Sequence, residues 1–502
     1  MKDICFESQV HDFIESTDQL DKGMLSKESF NTLILSVFFL KSLCEKRKSA
    51  IKATVGQNSN HNSIPQALEE RLTLELGLVS VPEEFDFKTL VNYCDENDFV
   101  ERIITAFRTI ESNDLKLENI FSDSINILNR IEANNNLSYF CKQLFLKVDG
   151  FFVEKSEVDS EHFSILFNML VEEIYKKSPY NAQIIKTPKE ISKLLAGIVK
   201  PSINESIYDP ACGTGSILME CINKIKDETK VVDHFGVYGQ EISMSNVNIA
   251  RMSFILNDVD VNLYCGDTIY NPHFLDHETL RLKKFDVVIS NPPFSSKINR
   301  KDFLLLDPFN RFQWGVPSTT NADYVFVSHM LSSMKENVGR MAIVMPHGVL
   351  FRGSSEAHIR QNIIKDNLLD CIIALPQNLL LGTSIPTVIL FFSSNKVNTN
   401  VMFIDASKEF KHEKRKNTLT EEGIQKILFC FETREEVRSF SRNVSLDEII
   451  DNEFNLNMSR YIEVEFDQHD VDVDKEMREF RELENNLLDA VEDMRAILSE
   501  RF

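Results

Sequence analysis

The tetrapeptide Asn291-Pro292-Pro293-Phe294 closes the apolar run FDVVISNPPF and combines residue types that suit chemistry on an amino group attached to a flat ring. The side-chain oxygen of Asn291 and the carbonyl of Pro292 are acceptors for the two N–H bonds of such an amine. They would offset the positive charge that grows when its nitrogen attacks an electrophile. The two prolines restrict the turn, and the ring of Phe294 offers a face for stacking. A proline turn after a buried strand is the simpler alternative for these four residues alone.

A glycine-rich motif lies upstream in SIYDPACGTGSILMECI (206–222). It predicts a short strand that ends at Asp209, then a tight turn, then a helix, which is where an open α/β sheet binds its ligand. Gly213 and Gly215 allow a ligand to approach the backbone closely. Asp209 suits a cationic amine. The spacing is not the dinucleotide fingerprint, and the chain has no Gly-Lys dipeptide for a phosphate loop, so a cofactor with an amine and no phosphate fits better.

Two further predicted strands end in acidic residues, the second at Glu241 and the third at Asp267. An acidic residue at the end of the second strand of a doubly wound sheet typically accepts ribose hydroxyls, and Asp267 could read an adenine amino group. Asp209, Glu241, Asp267 and Asn291 therefore end four successive strands. Such a set is hard to produce by chance, and it predicts one site at the carboxyl edge of the sheet.

On these motifs the chain resembles the modification (M) subunits of type I restriction-modification systems, which are S-adenosylmethionine-dependent N6-adenine DNA methyltransferases. The resemblance covers roughly residues 160–465. It extends through NADYVFVSHML (321–331), GRMAIVMPHGVLFRGSSEAHIR (339–360), LLDCIIALPQNLLLGTSIPTVILFF (368–392), FIDASKEF (403–410) and SLDEIIDNEFNLNMSRYI (445–462). Residues 20–48 also resemble the start of the helical N-terminal domain of that family.

The resemblance implies S-adenosyl-L-methionine as the cofactor and assigns roles to matching positions. The expected cofactor contacts are Thr187, Pro188, Asp209, Ala211, Gly213, Gly215, Glu241 and Asp267, and the expected catalytic loop is Asn291, Pro292, Pro293 and Phe294. One segment departs from the family, which usually has Gly-Glu-Phe-Tyr-Thr-Pro over the cofactor. Here the matching residues run from Gln183 to Pro188, and only Thr187 and Pro188 agree. The lost aromatic pair bears on cofactor affinity and leaves the methyl-transfer residues unchanged.

Length and composition predict a globular protein with several domains. The chain has 502 residues, of which 43% are hydrophobic, and its 37 Phe residues suit a large core. We expect a helical N-terminal domain (1–150), a methyltransferase catalytic domain (151–465) and an acidic C-terminal helix for subunit docking (466–502). The fold class is α/β, with a Rossmann-like seven-stranded sheet that is mostly parallel and has one antiparallel strand, the last two strands forming a hairpin.

The net charge of −22 is unexpected for a chain that must contact DNA, because proteins that grip a duplex alone usually show a basic face. Local basic groups occur at Lys297, Arg300, Lys301 and Lys411–Lys416, although such runs are more often solvated surface. The charge therefore predicts dependence on partners. The resemblance implies double-stranded DNA, a specificity (S) subunit and a second copy of the M subunit as partners, with a restriction (R) subunit as a further one.

The chain is expected in the cytoplasm. It has no run of about 18 apolar residues, and its first residues lack the charged and apolar regions of a signal peptide. The nine cysteines include no C-x-x-C pair, which favours reduced thiols. No metal site is expected. Asp470, Asp472 and Asp474 imitate an EF-hand loop, but Lys475 and Arg481 stand where that loop needs Gly and Glu.

The acidic tail carries an apolar seam. Residues 463–502 contain 14 acidic and 5 basic residues, a net charge of −9. The apolar residues at spacings of three and four are Phe480, Leu483, Leu487, Ala490, Met494 and Ile497. Two to three heptads are too few to stand alone, so the helix should pack either on a partner's helices or back on its own domain.

Two other functions remain open at this point. The chain could methylate an amino group on protein glutamine or RNA, since enzymes of those classes also use Asn-Pro-Pro-aromatic loops. The long helical N-terminus and the segments after residue 320 argue against that. It could also be an inactive, cofactor-binding assembly subunit, which the altered Ile184–Lys186 stretch favours and the intact Asp209 and Asn291 oppose.

Overall fold

A computed structural model describes residues 2–20, 25–55, 66–130, 135–153, 160–177, 187–229, 236–298, 306–380, 384–413 and 416–463, together with ten residues between 477 and 494. A helical part comes first and a helix-covered sheet follows it. The predicted α/β class with a helical N-terminal region is confirmed.

The helical part is built from packed helices, some of which are amphipathic. They are α1 (Lys2–Asp18), α2 (Lys27–Val55), α3 (Gln66–Glu75), α4 (Phe87–Asn92), α5 (Phe99–Asn113), α6 (Ser122–Arg130), α7 (Asn135–Val153) and α8 (Ser160–Lys177). In α5, Phe99, Ile103, Phe107 and Ile110 are buried at spacings of three and four, which places them on one face. The rings of Phe107 and Phe121 stack with centroids 4.2 Å apart. Phenylalanine pairs of this kind fill the helical core.

Helix α8 shares its core with the helices before it. Its buried Phe163, Leu166 and Leu170 belong to the same apolar cluster as the side chains of α2 and α5. The packing of the helical part thus continues beyond residue 150. The domain boundaries at 150 and 465 stay predictions.

A nine-stranded sheet forms the second part. Its strands are β1 (Ser206–Asp209), β2 (Gly236–Glu241), β3 (Asn262–Cys265), β4 (Val287–Ser290), β5 (Arg340–Pro346), β6 (Leu369–Ala374), β7 (Thr387–Ser393), β8 (Val401–Asp405) and β11 (Ser441–Val444). They lie in the order β11-β8-β6-β7-β5-β4-β1-β2-β3. The short strands β9 (Phe410–His412) and β10 (Asn417–Leu419) pair separately as a hairpin.

Helices cover both faces of the sheet. They are α9 (Lys189–Val199), α10 (Ser216–Thr229), α11 (Met244–Leu256), α12 (Asp323–Ser333), α13 (Ser354–Lys365), α14 (Glu421–Thr433) and α15 (Leu446–Asp451). Side chains alternate along each strand, so Val287 and Ile289 of β4 enter the core under α9 and α10, whereas Val288 enters the core under α12 and α13. Burial on both faces explains why the central strands are continuous apolar runs.

The sheet contains the predicted seven strands and two more. Strand β7 is antiparallel to both β5 and β6, as the predicted final hairpin requires. Strand β8 adds to β6 in parallel, and β11 adds to β8 in antiparallel. The sheet is therefore wider than predicted, and a second antiparallel strand forms its edge.

The two parts meet along α11. Lys46 of α2 donates to the carbonyl of Leu256 at 2.7 Å and lies 2.7 Å from Asp258, so it caps the carboxyl end of α11. Met252 and Leu256 of α11 pack in the helical core. Within the described ranges, no helix has the length and apolar character needed to cross a membrane.

In the acidic tail, the ten described residues are helical. The described apolar residues of the predicted seam are exposed by 57–68%, namely Phe480, Leu483, Leu487 and Met494. Ala490 and Ile497 lie outside the described residues. The seam residues that the structure describes therefore leave most of their surface uncovered by this chain.

Candidate active site

The site is built on four neighbouring parallel strands. Strands β4, β1, β2 and β3 lie side by side in that order, with Asp209 opposite Gly239 and Glu241 opposite Cys265. Asp209 and Glu241 are the last residues of their strands, and Asn291 follows β4 directly. Asp267 comes two residues after β3. All four residues therefore stand along one edge of the sheet, although Asp267 lies two residues beyond the strand that it was predicted to end.

The glycine-rich loop between β1 and α10 is held by backbone hydrogen bonds. Cys212 N donates to the carbonyl of Gln240 at 3.1 Å, which ties the loop to β2. Gly213 and Gly215 have φ of +55° and +79°, where a side chain is disfavoured. A Cβ at Gly213 would meet no atom within 4 Å, whereas one at Gly215 would lie 2.7 Å from the ring of Phe254. Gly213 thus leaves space for a ligand, and Gly215 permits close packing on α11.

Asp209 has a buried carboxylate in which only one oxygen is hydrogen-bonded. The residue is 1% exposed, and its Oδ1 accepts the N–H of Ala211 at 3.0 Å and the hydroxyl of Ser290 at 2.7 Å. Oδ2 is buried and has no hydrogen-bond partner in the described part of the chain. Burial raises the pKa of Asp209 to about 7, against the hydrogen bonds from Ser290 and Ala211, which lower it. A cationic ligand would satisfy Oδ2 and favour the ionised form.

Glu241 and Asp267 are partly exposed and use backbone N–H groups to fix their carboxylates. Glu241 accepts from Gly213 N through Oε2 at 3.0 Å and from Ser243 N through Oε1 at 2.9 Å. Each oxygen retains a lone pair for a further donor. Asp267 Oδ1 accepts the N–H groups of Ile269 and Tyr270 at 2.8 and 3.1 Å. Both carboxylates are preorganised acceptors for hydroxyl or amino groups.

The catalytic-loop candidate begins at Asn291, whose amide is oriented by Thr187. Asn291 Nδ2 donates to Thr187 Oγ1 at 3.0 Å, and Thr187 is buried beside Pro188, which precedes α9. Asn291 Oδ1 is buried and finds no hydrogen-bond partner among the described residues. An acceptor is therefore left available at the end of β4. Residues 183–186, where the sequence departs from the family, lie outside the described residues.

The rest of the loop is partly exposed. Pro292 is buried and Pro293 is exposed. Phe294 is half-buried, and one part of its ring packs against the core under α9 and α10. The remaining surface of the ring is accessible for stacking.

Two contributors were not predicted from the sequence. Ser290 supports Asp209 by its hydroxyl, and its place directly before Asn291 on the strand beside β1 could have revealed it. Ile242 follows Glu241 and is 67% exposed, so it offers an apolar surface next to the two carboxylates.

The strand order and the polar residues at one edge define a Rossmann-like methyltransferase fold. The N-6 DNA Methylase family model matches residues 160–470. This match spans more than half of the chain, so the chain belongs to the N-6 DNA methylase family.

Named relatives agree with this family. The chain is 33% identical over 325 residues to the type I restriction enzyme MjaVII methylase subunit of Methanocaldococcus jannaschii, a match covering 62% of this chain and 54% of that protein. It is 30% identical over 373 residues to the MpnII methylase subunit of Mycoplasma pneumoniae, covering 70% of this chain and 68% of the relative. The crystal structure of a type I restriction-modification methyltransferase subunit from Streptococcus thermophilus has a TM-score of 0.78 at 26% identity and covers 91% of this chain and 100% of its own.

Proposed function

We propose that this chain is the methyltransferase subunit of a type I restriction-modification complex and transfers a methyl group from S-adenosylmethionine to N6 of adenine in DNA. The observation that carries the proposal is the buried Oδ1 atom of Asn291, an acceptor without a partner among the described residues, on the strand next to Asp209. Membership of the N-6 DNA methylase family supports it, as do the relatives named as type I methylase subunits.

The residues at the sheet edge fit S-adenosylmethionine. Asp209 Oδ2 would hold the amino group of the cofactor, Glu241 would accept from the ribose hydroxyls, and Asp267 would accept from the adenine amino group. Ala211, Gly213, Gly215, Thr187 and Pro188 would supply the walls of the site. The bound cofactor supplies a methyl group on a positively charged sulfur. The buried, unpartnered oxygen of Asp209 is the observation in favour of this fit, because it requires a donor and prefers a cation.

The chain's own groups would activate the target amine. Asn291 Oδ1 and the carbonyl of Pro292 accept its two hydrogens, which makes the nitrogen lone pair more available and stabilises the charge that develops in the transition state. Thr187 holds the Asn291 amide so that Oδ1, not Nδ2, is the free group. Pro292 and Pro293 fix the acceptors in place, and Phe294 stacks on a base taken out of the duplex.

The proposed complex supplies what the chain lacks. With a net charge of −22 the chain has little positive surface for phosphates, so we assign sequence reading and much of the grip on double-stranded DNA to a specificity subunit. A second copy of this chain and a restriction subunit complete the proposed assembly. The eight cysteines whose side chains the structure describes are free thiols, which favours the reducing cytoplasm as its location.

Methyl incorporation tests the proposal. The full-length chain, co-purified with its specificity subunit, is incubated with S-adenosylmethionine carrying a labelled methyl group and with duplex DNA, RNA or host protein. We expect label in DNA alone, and N6-methyladenine after digestion to nucleosides. Label in protein or RNA would favour the other amino-group methyltransferases. Cofactor binding by calorimetry without transfer to any of the three substrates would identify an inactive assembly subunit.

A further inference from the structure

The residue after the proposed catalytic loop is held by a buried carboxylate. Ser295 has φ of +50°, a conformation that residues other than glycine rarely adopt. Its N–H donates to Oδ1 of Asp323 at 2.8 Å, and Asp323 is fully buried. A second link follows directly, because Ala322 N donates to the carbonyl of Ser296 at 2.8 Å. The loop therefore leaves β4 and attaches at once to the beginning of α12.

Two features stabilise the charge of Asp323 in its buried position. Asp323 is the first residue of α12, where the helix dipole favours a negative side chain. The backbone N–H of Asp323 donates to Asn321 Oδ1 at 3.0 Å, which fixes the start of this helix. Arg352 Nη2 lies 2.5 Å from Asp323 Oδ2 and supplies the opposite charge. The carboxylate can thus accept from Ser295 as a charge-assisted acceptor, which is stronger than a neutral one.

Arg352 is itself fixed on the loop after β5. Its Nε atom lies 3.3 Å from Oε2 of the buried Glu356, and its carbonyl accepts from Arg360 Nη1 at 3.1 Å. Strands β4 and β5 are adjacent and parallel. The ion pair of Asp323 and Arg352 consequently joins the segments that follow two neighbouring strands at the edge where the site lies.

We propose that Asp323 and Arg352 are positioning residues for methyl transfer, which fix the catalytic loop from its downstream side. The inference rests on the proposed function of Asn291 and Phe294. Upstream, β4 and the two prolines hold the loop. Downstream, Asp323 holds Ser295, so the ring of Phe294 stands between two fixed points. Without the downstream anchor Ser295 loses the contact that compensates for its disfavoured φ, and Phe294 and the Pro292 carbonyl move from their productive positions.

Hydrogen exchange tests the anchor without any assay of activity. In the full-length chain, Asp323→Ala should accelerate exchange of the Ser295 amide at least tenfold, because that amide loses its only acceptor among the described residues, and Arg352→Met should give a smaller acceleration. Asp323→Asn retains an oxygen acceptor and should restore much of the protection. Asp370→Ala is the matched control, since Asp370 is a buried carboxylate paired with Arg434 at the opposite end of the sheet. Unchanged Ser295 exchange in Asp323→Ala, with the protein folded, would overturn the inference.

Turnover gives the second measurement. In the complex with its specificity subunit, Asp323→Ala should lower the single-turnover rate of methyl transfer about a hundredfold, the effect of misplacing a reacting group by about 1 Å. Cofactor affinity should stay within about twofold of the parent, and Asp323→Asn should recover part of the rate. Asp370→Ala should lower the melting temperature as much as Asp323→Ala does, and it should leave the rate of methyl transfer unchanged. Equal rate losses in the two alanine variants would mean that the pair is only structural. A parent complex that methylates no DNA would refute the proposed function, and the exchange data would still decide the anchor.

Discussion

Asn291 keeps a buried oxygen without a partner among the described residues, a condition that disfavours the folded state by about 1–3 kcal/mol. Such an atom persists where a ligand satisfies it. We expect Asn291→Ala to lower turnover by about a hundredfold or more, because the acceptor acts on charge that develops in the transition state. Cofactor affinity should be little changed. Single-turnover kinetics and calorimetric titration with S-adenosylmethionine measure the two quantities separately.

Thr187→Val is a milder change than Asn291→Ala. It preserves the shape of Thr187 but removes the oxygen that accepts from Asn291 Nδ2. The side-chain amide of Asn291 keeps its oxygen and its NH2 group but is free to rotate. The rate should fall by a smaller factor than in Asn291→Ala. If Asn291→Ala weakened cofactor binding as strongly as it slowed transfer, Asn291 would belong to the cofactor site instead.

Asp209 makes the stability of the fold depend on pH in the opposite sense to most carboxylates. Its pKa is raised to about 7 in the folded chain, compared with about 3.9 for a free aspartate. Between these values the folded state binds more protons than the unfolded state, so the ligand-free chain loses stability as pH rises from about 4 to 7. Asp209→Asn cannot ionise and should be more stable than the parent at pH 8, by up to about 4 kcal/mol at roughly 1.4 kcal/mol per pKa unit. It should also lose cofactor affinity.

Melting temperatures at pH 5 and pH 8, without cofactor, measure this effect. Asp286→Asn is the control of opposite sign. Although burial raises the pKa of Asp286, hydrogen bonds from Lys335 and Ser206 lower it overall, so this carboxylate stabilises the fold above its unfolded pKa. Asp286→Asn should therefore be less stable than the parent at pH 8. An Asp209→Asn difference that is the same at both pH values would contradict the raised pKa.

At the scale of elements, Gly213 and Gly215 in the loop after β1 are required for different reasons. Both have positive φ, which disfavours alanine by about 1–2 kcal/mol. At Gly215 a methyl group would also press on Phe254 at 2.7 Å, and overpacking adds about 1–3 kcal/mol. Gly215→Ala should therefore lower the melting temperature more than Gly213→Ala. Gly213→Ala places its methyl group in open space at the proposed cofactor site, so it should weaken cofactor binding with a modest loss of stability.

Thermal melting and cofactor titration of the two variants separate these effects. The pair serves as its own control, because both changes add one methyl group to the same loop at similar φ. Equal melting temperatures would show that Phe254 moves aside without cost. Unchanged affinity in Gly213→Ala would show that the cofactor lies elsewhere.

The polar ends of four strands were predictable because each element has a local signal. A short apolar run followed by Asp209, Glu241 or Asn291 indicates a strand and its end, and parallel strands bring their carboxyl ends to one edge. Strand β11 was not predicted, since Ser441–Val444 has polar residues at three of four positions and is a strand only because β8 offers an open edge. Propensity gives no sign of such an edge.

The anchor formed by Asp323 and Arg352 was also beyond local reasoning. An aspartate in the first turn of a helix is explained fully by the helix N-terminus, so the sequence gives no reason to seek a further partner. Its contacts with Ser295 and Arg352 join segments 28 and 29 residues away. Only the arrangement of β4, β5 and α12 brings them together.

At the scale of the whole molecule, the helical part contacts the helix that follows Glu241. Tyr175 of α8 donates to Asn246 Oδ1 at 3.3 Å, Ser245 donates to Asp123 of α6 at 2.9 Å, and Arg251 donates to the carbonyl of Lys116 at 2.8 Å. Since Ser243 caps α11 and also donates to Glu241, the helical part supports the proposed ribose site through one intervening helix. The two parts are thus joined next to the proposed cofactor site.

The acidic tail is the surface that we expect to dock on a partner. Its described seam residues are helical and mostly exposed, and the tail carries a net charge of −9 on a chain of −22. An apolar stripe beside acidic groups suits a helical surface with basic residues, and we assign that surface to the specificity subunit. Deletion of residues 474–502 should leave cofactor binding intact and abolish assembly with the specificity subunit.

Point variants make the same test in a full-length chain. Leu483→Asp combined with Leu487→Asp places charge on two exposed seam positions, so it should abolish assembly with no loss in melting temperature. Glu482→Gln combined with Glu484→Gln alters neighbouring exposed residues of the same helix outside the seam and should retain assembly. Co-purification of tagged specificity subunit, followed by mass determination of the complex, measures the outcome. A chain that still co-purifies after the deletion would show that the tail is not the docking surface. A chain that methylates a specific site by itself at physiological salt would show that the partner does not supply the sequence reading.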